Sequence, residues 1–302
     1  MESLIHRKGL SFNESIFKEY EADGWKFLQE MDPISGEMAG FLFRSPYPVL
    51  GLTFTYIIFV CFIGPSLMQN REPFQLKNLI RFYNLLMVLL AGVLLANLLK
   101  CVGSFATLFD CDKTFNLSDP SSSGIYGMAN FILLVRLSEY LDTIFFTLRK
   151  KQNQVTFLHV FHHAFVPIYA FWILRTAPLR FNVFIILVNS FIHVLMYFYY
   201  FLATFQQPRD GPGARNRAKQ GPIMYVVTKL LMFKKYMTQL QILQFIALAA
   251  YSIWATMQPN KCQVPWTYII ANLLLALGFL SLFLHFYVQV YRKGASTKTK
   301  RD

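Results

Sequence analysis

Along the 302 residues, apolar stretches of about 20 residues alternate with short polar segments. A membrane-crossing helix needs roughly that length of mostly apolar chain. Seven such stretches are legible, at about 47–68, 80–101, 126–148, 155–175, 180–205, 230–257 and 265–291. The fifth and sixth are interrupted by tyrosines and polar residues, so they are expected to line an interior. The pattern predicts an all-α membrane protein of about seven helices. Its parts would be a lumenal segment 1–46, a membrane domain 47–293 and a cytosolic basic tail 294–302.

Composition agrees with a lipid-facing surface. Hydrophobic residues make up 55% of the chain and charged residues only 15%, against roughly 25% in soluble domains. The net charge of +13 is unevenly placed. The first 46 residues hold eight acids, and the basic excess lies in later segments. A basic chain of this kind invites a nucleic-acid reading, but here the bases flank apolar runs, so topology explains them better. If the C-terminus is cytosolic, cytosolic segments hold Arg71, Lys77, Arg149, Lys150, Lys151, Arg209, Arg215, Arg217, Lys219, Arg292, Lys293, Lys298, Lys300 and Arg301. The opposite face holds Arg44, Lys113, Arg175, Arg180 and Lys261. The positive-inside rule then predicts a cytosolic C-terminus and, with seven spans, a lumenal N-terminus. The first 45 residues contain no long apolar core of the signal-peptide type, so an internal span is expected to lead insertion.

Three further features fit that topology. Asn13 and Asn116 begin Asn-x-Ser sequons on the predicted lumenal side. Cys111 and Cys262 both fall in predicted lumenal loops, where a disulfide is permitted, and a bridge between them is expected. Lys298 and Lys300, five and three positions from the end, resemble a retrieval signal to the endoplasmic reticulum.

The candidate chemistry is concentrated in histidine. His159, His162 and His163 stand at i, i+3 and i+4 of the fourth predicted helix, so their side chains share one face. Polar rings turned to lipid are costly, so they should face the interior or a cavity. His193 lies in the fifth helix, on one stripe with Asn189 and Tyr197. Thr238, Gln241 and Gln244 form a stripe at the start of the sixth, and Glu139 and Asp142 lie three apart near the end of the third. A single membrane histidine is readily a packing group, but three on one face with a fourth on the next helix are not. The Gln/Thr stripe is equally readable as interhelical glue, and the two acids as structural partners of Arg136 or of the histidines.

The runs Arg136-x-x-Glu139-x-x-Asp142-Thr143, His159-x-x-His162-His163, Asn189-x-x-x-His193-x-x-x-Tyr197 and Thr238-x-x-Gln241-x-x-Gln244, in that order, resemble the core of the membrane-bound very-long-chain fatty acid elongases. The resemblance extends from about residue 40 to 293, with Arg136 standing where the family usually has Lys. It implies condensation of a long-chain acyl-CoA with malonyl-CoA to a 3-ketoacyl-CoA, in the endoplasmic reticulum membrane, with no cofactor and no metal.

No cysteine lies near the histidine box, so imidazole must act as nucleophile, base or both. The resemblance makes His162 the nucleophile and sets His193 to position malonyl-CoA and help its decarboxylation or stabilise the enolate. His159 and His163 orient their neighbours, with Glu139 or Asp142 fixing a tautomer. Asn189, Tyr197, Thr238, Gln241 and Gln244 become candidates for substrate hydrogen bonds, and Lys150, Lys151, Lys234 and Lys235 for the CoA phosphates. The acyl tail would run lumenward through an apolar tunnel. Phe161, where some relatives have Tyr, leans toward saturated and monounsaturated chains. Oligomeric state stays open, with a homodimer and association with the later enzymes of the elongation cycle both compatible.

Two rival classes share part of this pattern. Di-iron desaturases also carry His-x-x-His-His boxes but need about eight nitrogen ligands, and this chain has six histidines, one of them His6 in the N-terminal tail. A seven-span receptor for external ligands should gather its polar stripes on the opposite side of the membrane.

Overall fold

The computed structural model describes residues 42, 45–102, 108–109, 123–176, 180–206, 234–258, 264 and 266–293. Asn13, Asn116, Cys111, Cys262 and the C-terminal lysines lie outside these residues. The described chain is helical. Helix α1 (Tyr47–Ile58) passes through a π-helical segment (Phe59–Ile63) into α2 (Gly64–Met68). Then come α3 (Lys77–Val102), α4 (Ser123–Ser138), α5 (Tyr140–Leu148), α6 (Phe157–Thr176), α7 (Arg180–Ala203), α8 (Lys234–Thr256) and α9 (Trp266–Tyr287), the last continuing as a π-helical turn (Val288–Lys293).

Hydrocarbon offers no hydrogen bonds, so a spanning chain must satisfy its own backbone, and helices do so. Among the described residues, five helical stretches are long and apolar enough to cross a membrane: Tyr47–Met68, Lys77–Lys100, Phe157–Leu174, Phe181–Ala203 and Trp266–Tyr291. The other two expected spans differ for a reason visible in their residues. The third is broken at Glu139 into α4 and α5. The sixth opens with Lys234 and Lys235 and carries Thr238, Gln239, Gln241 and Gln244 in its first three turns. Large apolar side chains such as Phe54, Phe62 and Leu274 are exposed, as expected of surfaces covered by lipid rather than water.

Helix α3 packs along α7, and α8 along α9; α6 touches α1, α4, α5 and α9. Helix α1 is fastened to α5 by polar groups: Thr53 Oγ1 and Tyr140 Oη are 2.6 Å apart, Tyr56 Oη and Thr143 Oγ1 2.9 Å. The rings of Tyr56 and Tyr140 stack at 4.3 Å. Farther along, Gly64 lets α2 approach α5 closely. A Cβ added there would lie 2.6 Å from Thr147 Cγ2 and 2.9 Å from the Phe59 carbonyl oxygen. We expect Gly64→Ala to cost about 1–3 kcal/mol by overpacking, read as a fall in melting temperature of the detergent-solubilised protein; an unaltered melt would contradict this packing.

The turn between α5 and α6 aligns the histidine box. Lys150 takes a positive φ of 55°, and its Nζ donates to the Gln69 carbonyl at 3.1 Å. The Phe74 N–H donates to the Leu148 carbonyl. The turn is thereby tied to the segment after α2. Thr156 precedes α6 and its Oγ1 accepts from the His159 N–H at 3.3 Å, an N-cap that starts the helix immediately before the box.

At the far end of the bundle aromatic rings fill the space between α7 and α8. Tyr251 stacks on Phe184 at 4.2 Å and on Phe181 at 5.1 Å. Phe109 packs edge-on against Trp254 at 5.2 Å, and Tyr251 Oη donates to the Leu108 carbonyl at 2.9 Å.

Candidate functional site

Polar residues from four helices meet at the end of the bundle nearest the α5–α6 turn. Glu139 is their hub. It occupies the break between α4 and α5 and is 1% exposed. One carboxylate oxygen, Oε1, lies 2.7 Å from Arg136 Nη1 and 3.0 Å from His193 Nδ1 on α7. The other, Oε2, is 4.0 Å from His163 Nδ1 on α6. A carboxylate buried this deeply requires a cation and hydrogen bonds. Arg136, one turn earlier and 3% exposed, supplies the cation.

The box itself behaves as helical spacing dictates. The rings of His159 and His163 are 4.4 Å apart, and those of His162 and His163 5.4 Å. His162 also packs edge-on against Phe279 of α9 at 4.9 Å, and His159 against Phe146 of α5 at 5.3 Å. His159 Nε2, His162 Nδ1 and His163 Nδ1 are buried and have no hydrogen-bond partner among the described residues. Three orphaned imidazole nitrogens on one face are costly as architecture and useful as groups for a reacting molecule.

Glu139 Oε1 approaches His193 Nδ1 to 3.0 Å, yet it is buried without a hydrogen-bond partner among the described residues, so the contact is one of proximity and charge. Arg136 Nη1 lies 3.2 Å from Nδ1 and 3.3 Å from Nε2. The lone-pair directions of the two nitrogens diverge, so an atom nearly equidistant from both sits against the ring rather than in line with either.

The second acid has a different partner. Tyr197, fully buried one turn beyond His193, donates its hydroxyl to Asp142 Oδ2 at 2.6 Å. Of the two carboxylates expected to fix an imidazole, Glu139 lies against His193 and Asp142 holds Tyr197. The proton of the Tyr197 hydroxyl is therefore committed, while its oxygen can still accept. Tyr83 of α3 packs edge-on against Tyr197 at 6.1 Å.

The remaining expected residues are arranged around this centre. Asn189 is half-buried one turn before His193. Gln241 of α8 donates Nε2 to Met196 Sδ at 3.4 Å, which brings the Gln stripe against α7 beside His193. Thr238 and Gln244 are buried on the same stripe. Lys151, Lys234 and Lys235 are exposed at helix ends, with Lys235 Nζ 5.8 Å over the Tyr287 ring. Lys150 is exposed too, and one of its three ammonium N–H groups donates to the Gln69 carbonyl. Among the described residues no three His, Cys, Asp or Glu side chains are grouped as metal ligands.

The residue that sequence reasoning passed over is Arg136, treated there only as a partner for the acids. Its signal was available: a cation inside an apolar run, at i,i+3 from a glutamate. Beside this polar centre the surroundings are hydrocarbon. A groove of about 720 Å³ runs between α6 and α9, lined by Phe161, Phe165, Tyr169, Trp172, Leu274 and Phe279 among others. Phe279 belongs to both regions, so His162 stands at the boundary between a charged cluster and an apolar surface.

Against known proteins, the model of the ELO (GNS1/SUR4) family matches residues 41–299. The chain is 34% identical over 283 residues to very long chain fatty acid elongase 2 of Mus musculus, covering 91% of this chain and 87% of that protein. It is 33% identical over 256 residues to very long chain fatty acid elongase 1 of Homo sapiens, covering 84% of each. With very long chain fatty acid elongase 7 of Drosophila melanogaster the identity is 30% over 277 residues, covering 90% of this chain and 77% of that protein.

Proposed function

The chain belongs to the ELO (GNS1/SUR4) family, and from that premise we infer that it is a very-long-chain 3-oxoacyl-CoA synthase. It condenses a long-chain acyl-CoA with malonyl-CoA, releasing carbon dioxide and CoA and leaving a 3-ketoacyl-CoA two carbons longer. The observation that carries the mechanism is the cluster of buried, unpartnered imidazole nitrogens beside a Glu139-held His193.

In the first half-reaction a ring nitrogen of His162 attacks the thioester carbonyl. A C–N bond forms, the C–S bond breaks, and the proton on the ring's second nitrogen passes to the departing sulfur. The acyl group is then held as an acyl-imidazole. In the second half-reaction malonyl-CoA loses carbon dioxide. The electron pair of the broken C–C bond makes the new bond to the acyl carbon as the C–N bond breaks, and one proton from solvent restores His162. His193, held between Arg136 and Glu139, positions the malonyl-CoA arm. His159 and His163 hold His162 in place. Asn189, Thr238, Gln241 and Gln244 line the approach of the thioester, and Lys151, Lys234 and Lys235 receive CoA phosphates at the mouth. The distribution of Lys and Arg supports a cytosolic mouth and C-terminus in the endoplasmic reticulum membrane, with the N-terminus lumenal.

Purified protein given labelled malonyl-CoA should release carbon dioxide only when an acyl-CoA primer is present. Release without primer, or none with any primer, would refute the assignment.

The acyl tail extends from His162 toward the aromatic rings at the far end. From His193 to Phe184 is nine residues, about 13 Å along α7. These rings then limit chain length. Each buried methylene is worth about 0.8 kcal/mol, so room for two more is worth roughly a tenfold preference. Phe184→Ala should shift the preferred primer toward one two carbons longer by about that factor, measured as relative kcat/KM across a primer series. An unshifted profile would place the limit elsewhere.

A further inference from the structure

We propose that Arg136 is a catalytic residue of the second half-reaction: its Nη2 donates to the malonyl thioester oxygen as that oxygen becomes the enolate. This rests on the condensation reading above and adds to it the group that stabilises the developing charge.

Decarboxylation of malonyl-CoA sends the electron pair of the breaking C–C bond into the thioester, so the carbonyl oxygen turns negative before the new C–C bond forms. A fixed hydrogen-bond donor aimed at that oxygen is the largest single aid such a step can receive. Both ring nitrogens of His193 lie within hydrogen-bond distance of Arg136 Nη1, and Nδ1 also faces Glu139 Oε1 at 3.0 Å, so the ring is occupied. Tyr197 donates to Asp142, and Gln241 Nε2 to Met196 Sδ.

Arg136 differs. It is the only Lys or Arg buried among the described residues. Its Nη1 is taken by Glu139 at 2.7 Å and lies against the His193 ring. Its Nη2 is buried with no hydrogen-bond partner among the described residues. A buried cationic N–H without an acceptor is expensive, and the planar guanidinium fixes its direction relative to the Glu139 pair. The same arrangement suits the enolate better than the malonyl carboxylate. An ion pair to the carboxylate would stabilise the ground state, whereas a donor to the thioester oxygen gains strength as charge arrives.

The two half-reactions separate this role from a structural one. Acyl transfer is read as single-turnover CoA release from acyl-CoA alone, and decarboxylation as primer-dependent release of labelled carbon dioxide from malonyl-CoA. The charge-neutral double variant Arg136→Gln/Glu139→Gln should lose at least about a hundredfold in carbon dioxide release while acyl transfer falls by much less. Arg136→Lys retains the cation but not the second planar nitrogen, and should lose about tenfold in carbon dioxide release, with acyl transfer little altered. That milder variant decides the matter if the double variant does not fold. Equal losses in both half-reactions, or full carbon dioxide release from Arg136→Lys, would overturn the proposal. Failure of wild-type protein to release carbon dioxide at all would instead overturn the condensation reading.

Discussion

Replacing His162 by alanine should lower elongation by about a thousandfold or more, the loss expected when a nucleophile that splits one step into two is removed. The size follows from the surroundings. His162 stands between the Glu139 cluster and the apolar ring of Phe279. His159 and His163 share its helical face, yet neither packs against that apolar boundary as His162 does. Cys61, a free cysteine, is exposed on the π-helical segment after α1 and is no substitute nucleophile. A primer-extension assay with labelled malonyl-CoA measures the loss. Retention of more than a tenth of wild-type turnover by His162→Ala would remove His162 from the nucleophile's role.

The second large effect is on stability. Glu139→Ala leaves Arg136 buried at the helix break without its counter-ion, and uncoupling a buried pair in this way costs about 3–5 kcal/mol. At roughly 2–4 °C per kcal/mol for a chain of this size, the melting temperature should fall by about 10 °C. Asp142→Asn is the informative contrast. Asparagine still accepts from the Tyr197 hydroxyl, and no cation is stranded, so its cost should be about 1 kcal/mol. Melting curves of both variants in detergent decide the point. Equal shifts would mean that the Arg136–Glu139 pair has no special weight. Glu139→Ala should also impair turnover beyond its effect on folding, because it frees the ring of His193 to rotate.

Much of this was legible in the chain. The apolar runs at 47–68, 80–101, 155–175, 180–205 and 265–291 reappear as helices within a few residues of the expected ends. That is so because a helix in hydrocarbon depends on local composition and its own hydrogen bonds rather than on distant partners. The i, i+3, i+4 spacing of His159, His162 and His163 required nothing more than helical geometry to bring the rings together.

What the sequence concealed depends on tertiary neighbours. The run 126–148 reads as one span because hydropathy averages over it, and the break appears only when Glu139 is seen serving Arg136 and His193 at once. The division of labour between the acids was equally hidden. Glu139 and Asp142 are chemically alike and three residues apart, and only the packing of α7 gives His193 to one and Tyr197 to the other. The positive φ of Lys150 and its bond to Gln69 are properties of the turn that its charge alone did not reveal. The free nitrogen of Arg136 is a fact of three-dimensional contact alone.

Peptide mapping by mass spectrometry, after a brief incubation of purified protein with acyl-CoA alone, tests the covalent step most directly. An acyl adduct on His162, lost on addition of malonyl-CoA with release of the extended product, is the expected result. A protein that elongates its primer while never bearing that adduct, or bearing it on a residue outside the α6 histidines, would contradict the mechanism.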